Sequence, residues 1–182
     1  MRTFFKKLDD TLIHWINDRW SHPVLDRFFY IYTNVASPFV LGLVAVFLFF
    51  FARPLLGREA REAAVSLILA TGIAHLIKRL FGRARPYWIR ENLNTFNIKM
   101  RDYSFPSGHT TAAFTLATTF SLYFPPLAWI LMTLALLVGI SRIYLAVHYP
   151  TDVLAGIILG FVVSIFVHKV LYLWLGQFAF FA

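Results

Sequence analysis

The residues of this sequence that could do chemistry include three cations, Lys78, Arg85 and Arg142. Lys78 precedes Arg85 by seven positions, and Arg142 lies in the stretch 103–168, where the only other Asp, Glu, Lys or Arg is Asp152. A phosphoryl group in transfer is an anion whose charge must be stabilised away from water. Three cations can supply that stabilisation, and arginine can bind phosphate oxygens in a bidentate manner. The pattern therefore indicates phosphate chemistry.

A second group of residues, Pro106-Ser107-Gly108-His109, stands at the start of an apolar run. We predict that Ser107 and Gly108 open a helix there, so that their backbone N–H groups and the helix dipole can face an anion. Glycine also lets the backbone approach a ligand closely. Ser107 and Gly108 are therefore predicted to bind phosphate.

His148 and Asp152 form the third group and are four residues apart. They share a face if the segment is helical, although Pro150 favours a local break. Asp152 can then accept the proton on one ring nitrogen of His148, which leaves the other nitrogen free to attack phosphorus. Taken alone, the pair could equally be a buried structural contact.

Together these groups match three motifs in order: Lys-x6-Arg-Pro, Pro-Ser-Gly-His and Ser-Arg-x5-His-x3-Asp. With both internal spacings intact over residues 78–152, the chain resembles the type 2 phosphatidic-acid phosphatase superfamily. The resemblance implies that His148 is the nucleophile that becomes phosphohistidine and that Asp152 orients it. It also implies that His109 protonates the leaving oxygen and then activates water. Lys78, Arg85, Ser107, Gly108 and Arg142 would bind the phosphate.

The elements that position these residues are predicted to be membrane helices. The chain has 182 residues, is 59% hydrophobic and contains 20 Phe. A soluble domain of this size could not bury so much apolar surface. No Asp, Glu, Lys or Arg occurs in residues 28–52. The net charge of +8 suits anionic lipid headgroups better than nucleic acid, because the basic residues sit in short blocks between apolar runs.

We predict an all-α integral membrane protein of one domain, residues 1–182, with about five transmembrane helices after an N-terminal amphipathic interfacial helix. The bundle occupies residues 36–175, and its spans are predicted at about 36–53, 63–81, 107–124, 127–147 and 152–175. Because successive spans alternate in direction, the end of the second, the start of the third, the end of the fourth and the start of the fifth share one membrane face. The three motifs occupy those four places. Gly156 and Gly160 are expected to be a helix-packing contact.

The N-terminal segment, residues 1–34, is predicted to lie along the membrane surface. Within residues 4–20, Leu8, Leu12 and Trp15 fall at helical spacing, while Asp9 and Asn17 are among the polar residues that fill the other face. A short apolar segment at about 24–34 follows.

Several residues near the motifs have less specific interpretations. Arg79, Arg83 and Arg90 are expected to meet lipid headgroups, with Arg83 also a candidate for a second phosphate. For His75, one turn before Lys78, we favour a core histidine with satisfied hydrogen bonds over a role in the chemistry. The segment 87–105 is expected to shape access for the headgroup.

Two histidines and an aspartate could also bind a metal. Three cations at the same site would repel a divalent ion, so we predict a metal-independent site with no cofactor. The function implied is hydrolysis of a lipid headgroup, with undecaprenyl diphosphate, a lipid A phosphate, phosphatidylglycerophosphate and phosphatidate as candidate substrates. There are two alternatives: a lipid phosphotransferase that uses the same phosphohistidine, and a non-catalytic lipid-phosphate binder. The motifs do not separate a phosphotransferase from a hydrolase.

Two arguments disagree about membrane sidedness. By the family resemblance, the chain is a multi-pass protein of the bacterial inner (plasma) membrane whose site faces the periplasm or exterior. Residues 78–101, however, contain seven Lys and Arg, whereas the first loop on the opposite face contains three. The positive-inside rule would therefore put residues 78–101, and the site with them, in the cytoplasm. We favour the exterior, because several of these cations are expected to bind phosphate.

Overall fold

The computed structural model describes residues 2–51, 53–90, 93–96, 98 and 100–171, and every regular element among them is helical. Within these ranges eight α-helices follow one another, with a 3₁₀ turn at Pro125–Leu127 before the seventh and a π-helical turn at Val167–Leu171 after the eighth. The helices are α1 (Arg2–Arg19), α2 (Pro23–Val35), α3 (Pro38–Phe51), α4 (Arg53–Phe81), α5 (Pro86–Ile89), α6 (Gly108–Tyr123), α7 (Ala128–Tyr144) and α8 (Pro150–Phe166).

Several helices begin at proline or at a polar cap, as their sequences require. Pro23, Pro38, Pro86 and Pro150 each stand at the first position of a helix, where the missing N–H has no partner to lose. Ser107 caps α6 by accepting from the backbone N–H of Thr110. The prolines and the Ser107 cap thus define where these helices begin, and residues of the three motifs lie near such helix ends.

Among the described residues, three helical stretches are long and apolar enough to cross a membrane: Gly57–Ile89, Pro125–Tyr144 and Pro150–Val170. A fourth is obtained if Pro23–Val35 and Pro38–Phe47, bent by 46°, form one broken span. Helix α6 has 16 residues and is therefore about 24 Å long, shorter than a hydrocarbon core of about 30 Å. Each predicted span contains a helix, but residues 54–62, predicted to separate the first two spans, are helical because α4 begins at Arg53. Residue 52 of the first predicted span and residues 172–175 of the last lie outside the described residues.

Helix α6 lies at the centre of the bundle and packs against α4, α7 and α8. Its contact with α8 is close, because a Cβ added at Gly160 would come within 2.9 Å of Phe114 Cβ and of the Thr115 backbone nitrogen. A Cβ added at Gly156 would similarly lie 2.8 Å from the carbonyl oxygen of Ser107. The predicted packing role of these two glycines is confirmed.

Helix α1 packs against α7 and α8 through a face that differs from the one expected. Asp9 and Asn17 are buried, whereas Leu8 and Trp15 are 40% and 45% exposed. The Asn17 amide donates to the carbonyl oxygen of Tyr144 at 2.7 Å. Asp9 and Asn17, assigned from sequence to the polar face of a surface helix, are thus buried in the protein, where each is satisfied by partners far along the chain.

Candidate active site

The start of α3, the end of α4, the start of α6 and the segments that connect the helices line a cavity of about 260 Å³. Of the predicted site residues, Lys78, Arg85, Gly108, His109 and His148 line it. Ser107, Arg142 and Asp152 lie behind this lining, and each is at most 1% exposed. The structure therefore brings the three motifs to one end of the bundle, as alternating helix directions predict. Its remaining lining residues are Pro38, His75, Met100 and Asp102.

Lys78, in the last turn of α4, and Arg85, the residue before α5, are both paired with Asp102. The Lys78 Nζ lies 2.9 Å from one Asp102 carboxylate oxygen, and the Arg85 Nη2 lies 2.7 Å from the other. Lys78 also donates to the carbonyl oxygen of Tyr103 at 2.6 Å. One carboxylate thus pairs with both cations that face the cavity and offsets one of their two charges. These cations hold the pKa of Asp102 at about 2, against the opposing effect of partial burial.

Arg142, in the last turn of α7, is not a lining residue of the cavity but contacts one of them. Its Nη1 donates to the hydroxyl of Thr33 in α2 at 2.6 Å, and its Nη2 lies 3.3 Å from the sulfur of Met100. The Arg142 Nε is buried and makes no hydrogen bond within the described part of the chain. Arg142 therefore keeps an unused donor, and Met100 lies between its guanidinium and the cavity.

The N-terminus of α6 is built as the sequence predicts. Ser107 is its cap, with an extended backbone, and Gly108 is the first helical residue and lines the cavity. Ser107 is held by its own backbone N–H, which donates to the carbonyl oxygen of Asp152 at 3.0 Å. The start of α6 is thereby joined to the first turn of α8, and the positive end of the α6 dipole lies at the cavity.

His148 lies between α7 and α8 and is 1% exposed. Arg85 Nη1 is 3.2 Å from its Nε2. A guanidinium can only donate, so Nε2 is the acceptor and a neutral ring carries its proton on Nδ1. The lone pair of Nε2 accepts from the Arg85 guanidinium, so this hydrogen bond must break before Nε2 can attack phosphorus.

Nδ1 of His148 faces Asp152, whose nearest oxygen, Oδ2, is 3.6 Å away. This contact is longer than a hydrogen bond, and Nδ1 has no hydrogen-bond partner among the described residues. Helix α8 begins at Pro150, so the local break expected at that proline is confirmed. Asp152 is the third residue of the helix, and its Oδ2 accepts from the backbone N–H of Tyr149 at 2.9 Å.

The electrostatic surroundings favour a neutral His148. Burial lowers its pKa well below the ordinary value, and the nearby charges of Arg85, Arg142 and Lys78 lower it further. A neutral imidazole keeps the lone pair that attack requires.

Two more histidines line the cavity. His109 is the second residue of α6, one position after the glycine that opens the helix. His75 is exposed, and its Nδ1 contacts the carbonyl oxygen of Thr71 at 2.8 Å. The expectation of a core histidine at position 75 is therefore wrong, because its helix face borders the open cavity. Within the described ranges, no group of three or more His, Cys, Asp or Glu side chains could hold a metal ion.

Comparison with known protein families identifies the architecture. The family model described as "PAP2 superfamily" matches residues 59–175, more than half of the chain. The chain belongs to the PAP2 superfamily. Its three motifs lie inside the matched range, whereas α1, α2 and α3 precede it.

Solved PAP2 structures share this fold. The crystal structure of Aquifex aeolicus LpxE has a TM-score of 0.77 at 33% identity and covers 89% of this chain and 95% of that one. A PAP2-type phosphatidylglycerolphosphate phosphatase from Bacillus subtilis has a TM-score of 0.68 at 23% identity, covering 90% and 84%. At that identity the second likeness concerns the fold alone.

Curated PAP2 relatives include the lipid A 4'-phosphatase of Porphyromonas gingivalis, 32% identical over 86% of this chain and 72% of that protein. The undecaprenyl-diphosphatase of Sulfolobus acidocaldarius is 37% identical over 53% of this chain, and the match spans 47% of that protein. The chain therefore spans about half the length of some of the relatives that it matches.

Sequence reasoning missed two acidic residues and misassigned one arginine. Asp102 stands in the segment expected to shape headgroup access, but no motif spacing marked it. Arg83 was expected to meet headgroups or a second phosphate; it instead pairs with Asp152 at 2.6 Å and with Asp9 of α1 at 2.7 Å. Asp9 precedes the PAP2 match by 50 residues, so local pattern could not connect it with the site.

Proposed function

We propose that this chain is a membrane lipid phosphatase that hydrolyses a phosphate or diphosphate headgroup through a phosphohistidine at His148. The observation that carries the proposal is the cavity in which Lys78, Arg85, His109 and His148 meet beside the N-terminus of α6. Cations and backbone donors bind an anion there, and a buried neutral histidine presents its Nε2 to it.

In the first step, Nε2 of His148 attacks phosphorus while the bond from phosphorus to the lipid oxygen breaks. His109 starts as the imidazolium, which the negative charge of the bound phosphate stabilises, and it gives its proton to the leaving oxygen. In the second step, a water molecule gives its proton to His109 and attacks phosphorus, and the bond between phosphorus and Nε2 breaks. Inorganic phosphate leaves, and both histidines return to their starting states. Asp152 stabilises the positive charge that His148 gains.

Phosphate binding must replace an internal ion pair. Lys78 and Arg85 are both held by Asp102, and a substrate phosphate would take over these contacts. Arg142 and the backbone at Ser107 and Gly108 are the additional donors that we assign to the phosphate.

A lipid substrate is supported by an apolar groove of about 320 Å³ between α3 and α4. Pro38 lines both this groove and the site cavity, so an alkyl chain in the groove would end close to the phosphate. The names of the relatives point to a lipid A phosphate or undecaprenyl diphosphate as substrate class.

The layout that we infer is five spans, formed by α3, α4, α6, α7 and α8, with α1 at the membrane surface. We place the site on the periplasmic or outer face of the bacterial inner membrane, the side inferred from the family resemblance. Because the chain has no cysteine, an introduced Cys at Trp88, which is 42% exposed, can be tested with an impermeant thiol reagent on intact cells. Protection of that cysteine until the cells are lysed would contradict this orientation.

The function itself is tested by phosphate release from purified protein with chelator present. The substrates are lipid A, undecaprenyl diphosphate, phosphatidylglycerophosphate and phosphatidate. We expect free phosphate from at least one of them, and chelator should have no effect. Radiolabelled phosphate that appears on a second lipid, with little free phosphate, would instead indicate a phosphotransferase.

A further inference from the structure

Beside the cavity lies a second charged cluster around Asp152, and the proposed steps use none of its other members. Arg83 donates from Nη1 to Oδ1 of Asp152 at 2.6 Å and from Nη2 to Oδ2 of Asp9 at 2.7 Å. The Thr151 hydroxyl joins the cluster, since it accepts from Arg83 and donates to Asp9, both at 2.7 Å. The guanidinium also lies 4.1 Å from the centre of the Tyr149 ring. These contacts fix Arg83 on several sides.

Asp9 is only 1% exposed although it belongs to a helix at the edge of the fold. Its Oδ1 accepts from the backbone N–H of Thr151 at 3.0 Å, so Asp9 caps the first turn of α8 from another helix. Its Oδ2 accepts from Arg83 and from the Thr151 hydroxyl. Both oxygens of a buried carboxylate are thus used to hold the turn that carries Asp152.

The consequence falls on the orientation of Asp152. Its Oδ1 is engaged by Arg83 and its Oδ2 by the Tyr149 N–H. With both oxygens held, the carboxylate cannot rotate, and Oδ2 stays opposite Nδ1 of His148. Without Asp9, Arg83 would lose one of its two carboxylate partners, so its hold on Oδ1 and the orientation of Asp152 would be less restricted.

We propose that Asp9 is a positioning residue of the phosphatase: through Arg83 and Thr151 it fixes Asp152 in the orientation that faces His148. The proposal rests on the proposed function. It means that the N-terminal helix, which precedes the PAP2 match at residues 59–175, completes the active site.

The adjacent residue supplies a matched control. Asp10 is on the same helix and forms an ion pair with Arg90 at 2.6 Å, and both side chains are partly exposed. Among the described residues, the hydrogen bonds of this pair do not involve Arg83, Thr151 or Asp152. Asp10→Asn removes the same charge from the same helix. The comparison therefore separates positioning of Asp152 from general docking of α1.

Phosphate release from the lipid substrate is measured for the parent, Asp9→Asn, Asp10→Asn, Arg83→Gln and the Asp9→Asn/Arg83→Gln double variant. We expect kcat to fall about tenfold in Asp9→Asn with KM within about twofold, and Asp10→Asn to match the parent. The double variant should lose less than the product of the two single losses, because Asp9 acts in part through Arg83. Melting temperatures in detergent are measured for all variants, so that kcat is compared at a temperature at which each variant remains folded.

Equal losses in Asp9→Asn and Asp10→Asn would overturn the proposal, as would multiplicative losses in the double variant or an Asp9→Asn variant as active as the parent. If Asp9→Asn does not fold, Thr151→Val takes its place. This variant removes the bridging hydroxyl and keeps the backbone N–H, and it should lower kcat about threefold with KM unchanged. Parent activity of Thr151→Val would then overturn the proposal.

A second readout separates this proposal from the proposed function. In ¹⁵N-histidine spectra, with the His148 signals identified by their loss in His148→Gln, Asp9→Asn should shift the ring-nitrogen signals of His148 and Asp10→Asn should not. If the parent releases no phosphate from any lipid, the proposed function fails, and this comparison alone decides the positioning role. Unchanged His148 signals in Asp9→Asn would overturn it.

Discussion

Arg85 donates to Nε2 of His148 at 3.2 Å, so one guanidinium contacts the nucleophile and lies where the substrate phosphate is expected to bind. The same arginine donates to the carbonyl oxygen of Val147 at 2.8 Å, immediately before the histidine. His148 therefore cannot turn without breaking contacts to a residue that is itself 1% exposed. This relationship links the first motif to the third and leads to the following predictions.

His148 should remain neutral well below the pH at which an ordinary histidine titrates. Its pKa is lowered by burial and by Arg85, Arg142 and Lys78, so protonation is postponed to more acidic pH. A ¹⁵N-histidine titration, assigned with His148→Gln, should show this ring unprotonated at pH 6. Titration of the His148 signals between pH 6 and 7.5 would show that the nearby cations do not act as argued.

Removing the charge of Asp102 should strengthen phosphate binding. In Asp102→Asn, Lys78 and Arg85 no longer have an internal carboxylate that inorganic phosphate must displace. The inhibition constant for phosphate should fall about fivefold, the equivalent of about 1 kcal/mol for a half-exposed ion pair. Asp18→Asn, which removes an equal charge from the exposed end of α1, should leave it unchanged.

The Asp102 effect should also be constant with pH. The pKa of Asp102 is about 2, so the side chain is ionised throughout the range from pH 5 to 8 and would lose its charge only as the pH falls toward that value. The ratio of the two inhibition constants should therefore stay the same across this range. A ratio that approached one at pH 5 would contradict the assigned ionisation.

Close packing of α6 on α8 should make Gly160 intolerant of a methyl group. In Gly160→Ala the new Cβ would lie 2.9 Å from Phe114 Cβ and the Thr115 nitrogen, so the helices must separate. We expect a loss of about 1–3 kcal/mol in the free energy of unfolding, measured in detergent. Gly72→Ala in α4 is the control, because nothing lies within 4 Å of its added Cβ. Equal stability of the two variants would contradict the packing.

Much of this arrangement could be predicted from the sequence, because its signals are local. The apolar runs predict the helices, Pro150 predicts the start of α8, and Ser107 predicts the start of α6. Since helix direction alternates, the motif residues were also expected at one end. Their spacing required no knowledge of packing.

The missing parts depend on contacts between distant segments. Asp9 meets Thr151 across 142 residues, and Arg142 meets Thr33 across 109. An amphipathic pattern identifies two faces of α1 but does not say which face meets protein, and buried hydrogen bonds here reverse the usual preference for Asp9 and Asn17. Arg83 looked like an interfacial charge for the same reason, because its two acidic partners come from α1 and α8.

The central claim, that His148 attacks phosphorus, is tested most directly by trapping the intermediate. Purified parent protein and His148→Ala are mixed with a lipid carrying ³²P in its headgroup and quenched in alkali within milliseconds to seconds. We predict a labelled protein that is stable in alkali and labile in acid, and no label on His148→Ala. Phosphate release by His148→Ala at the rate of the parent, or equal labelling of the two proteins, would contradict the account.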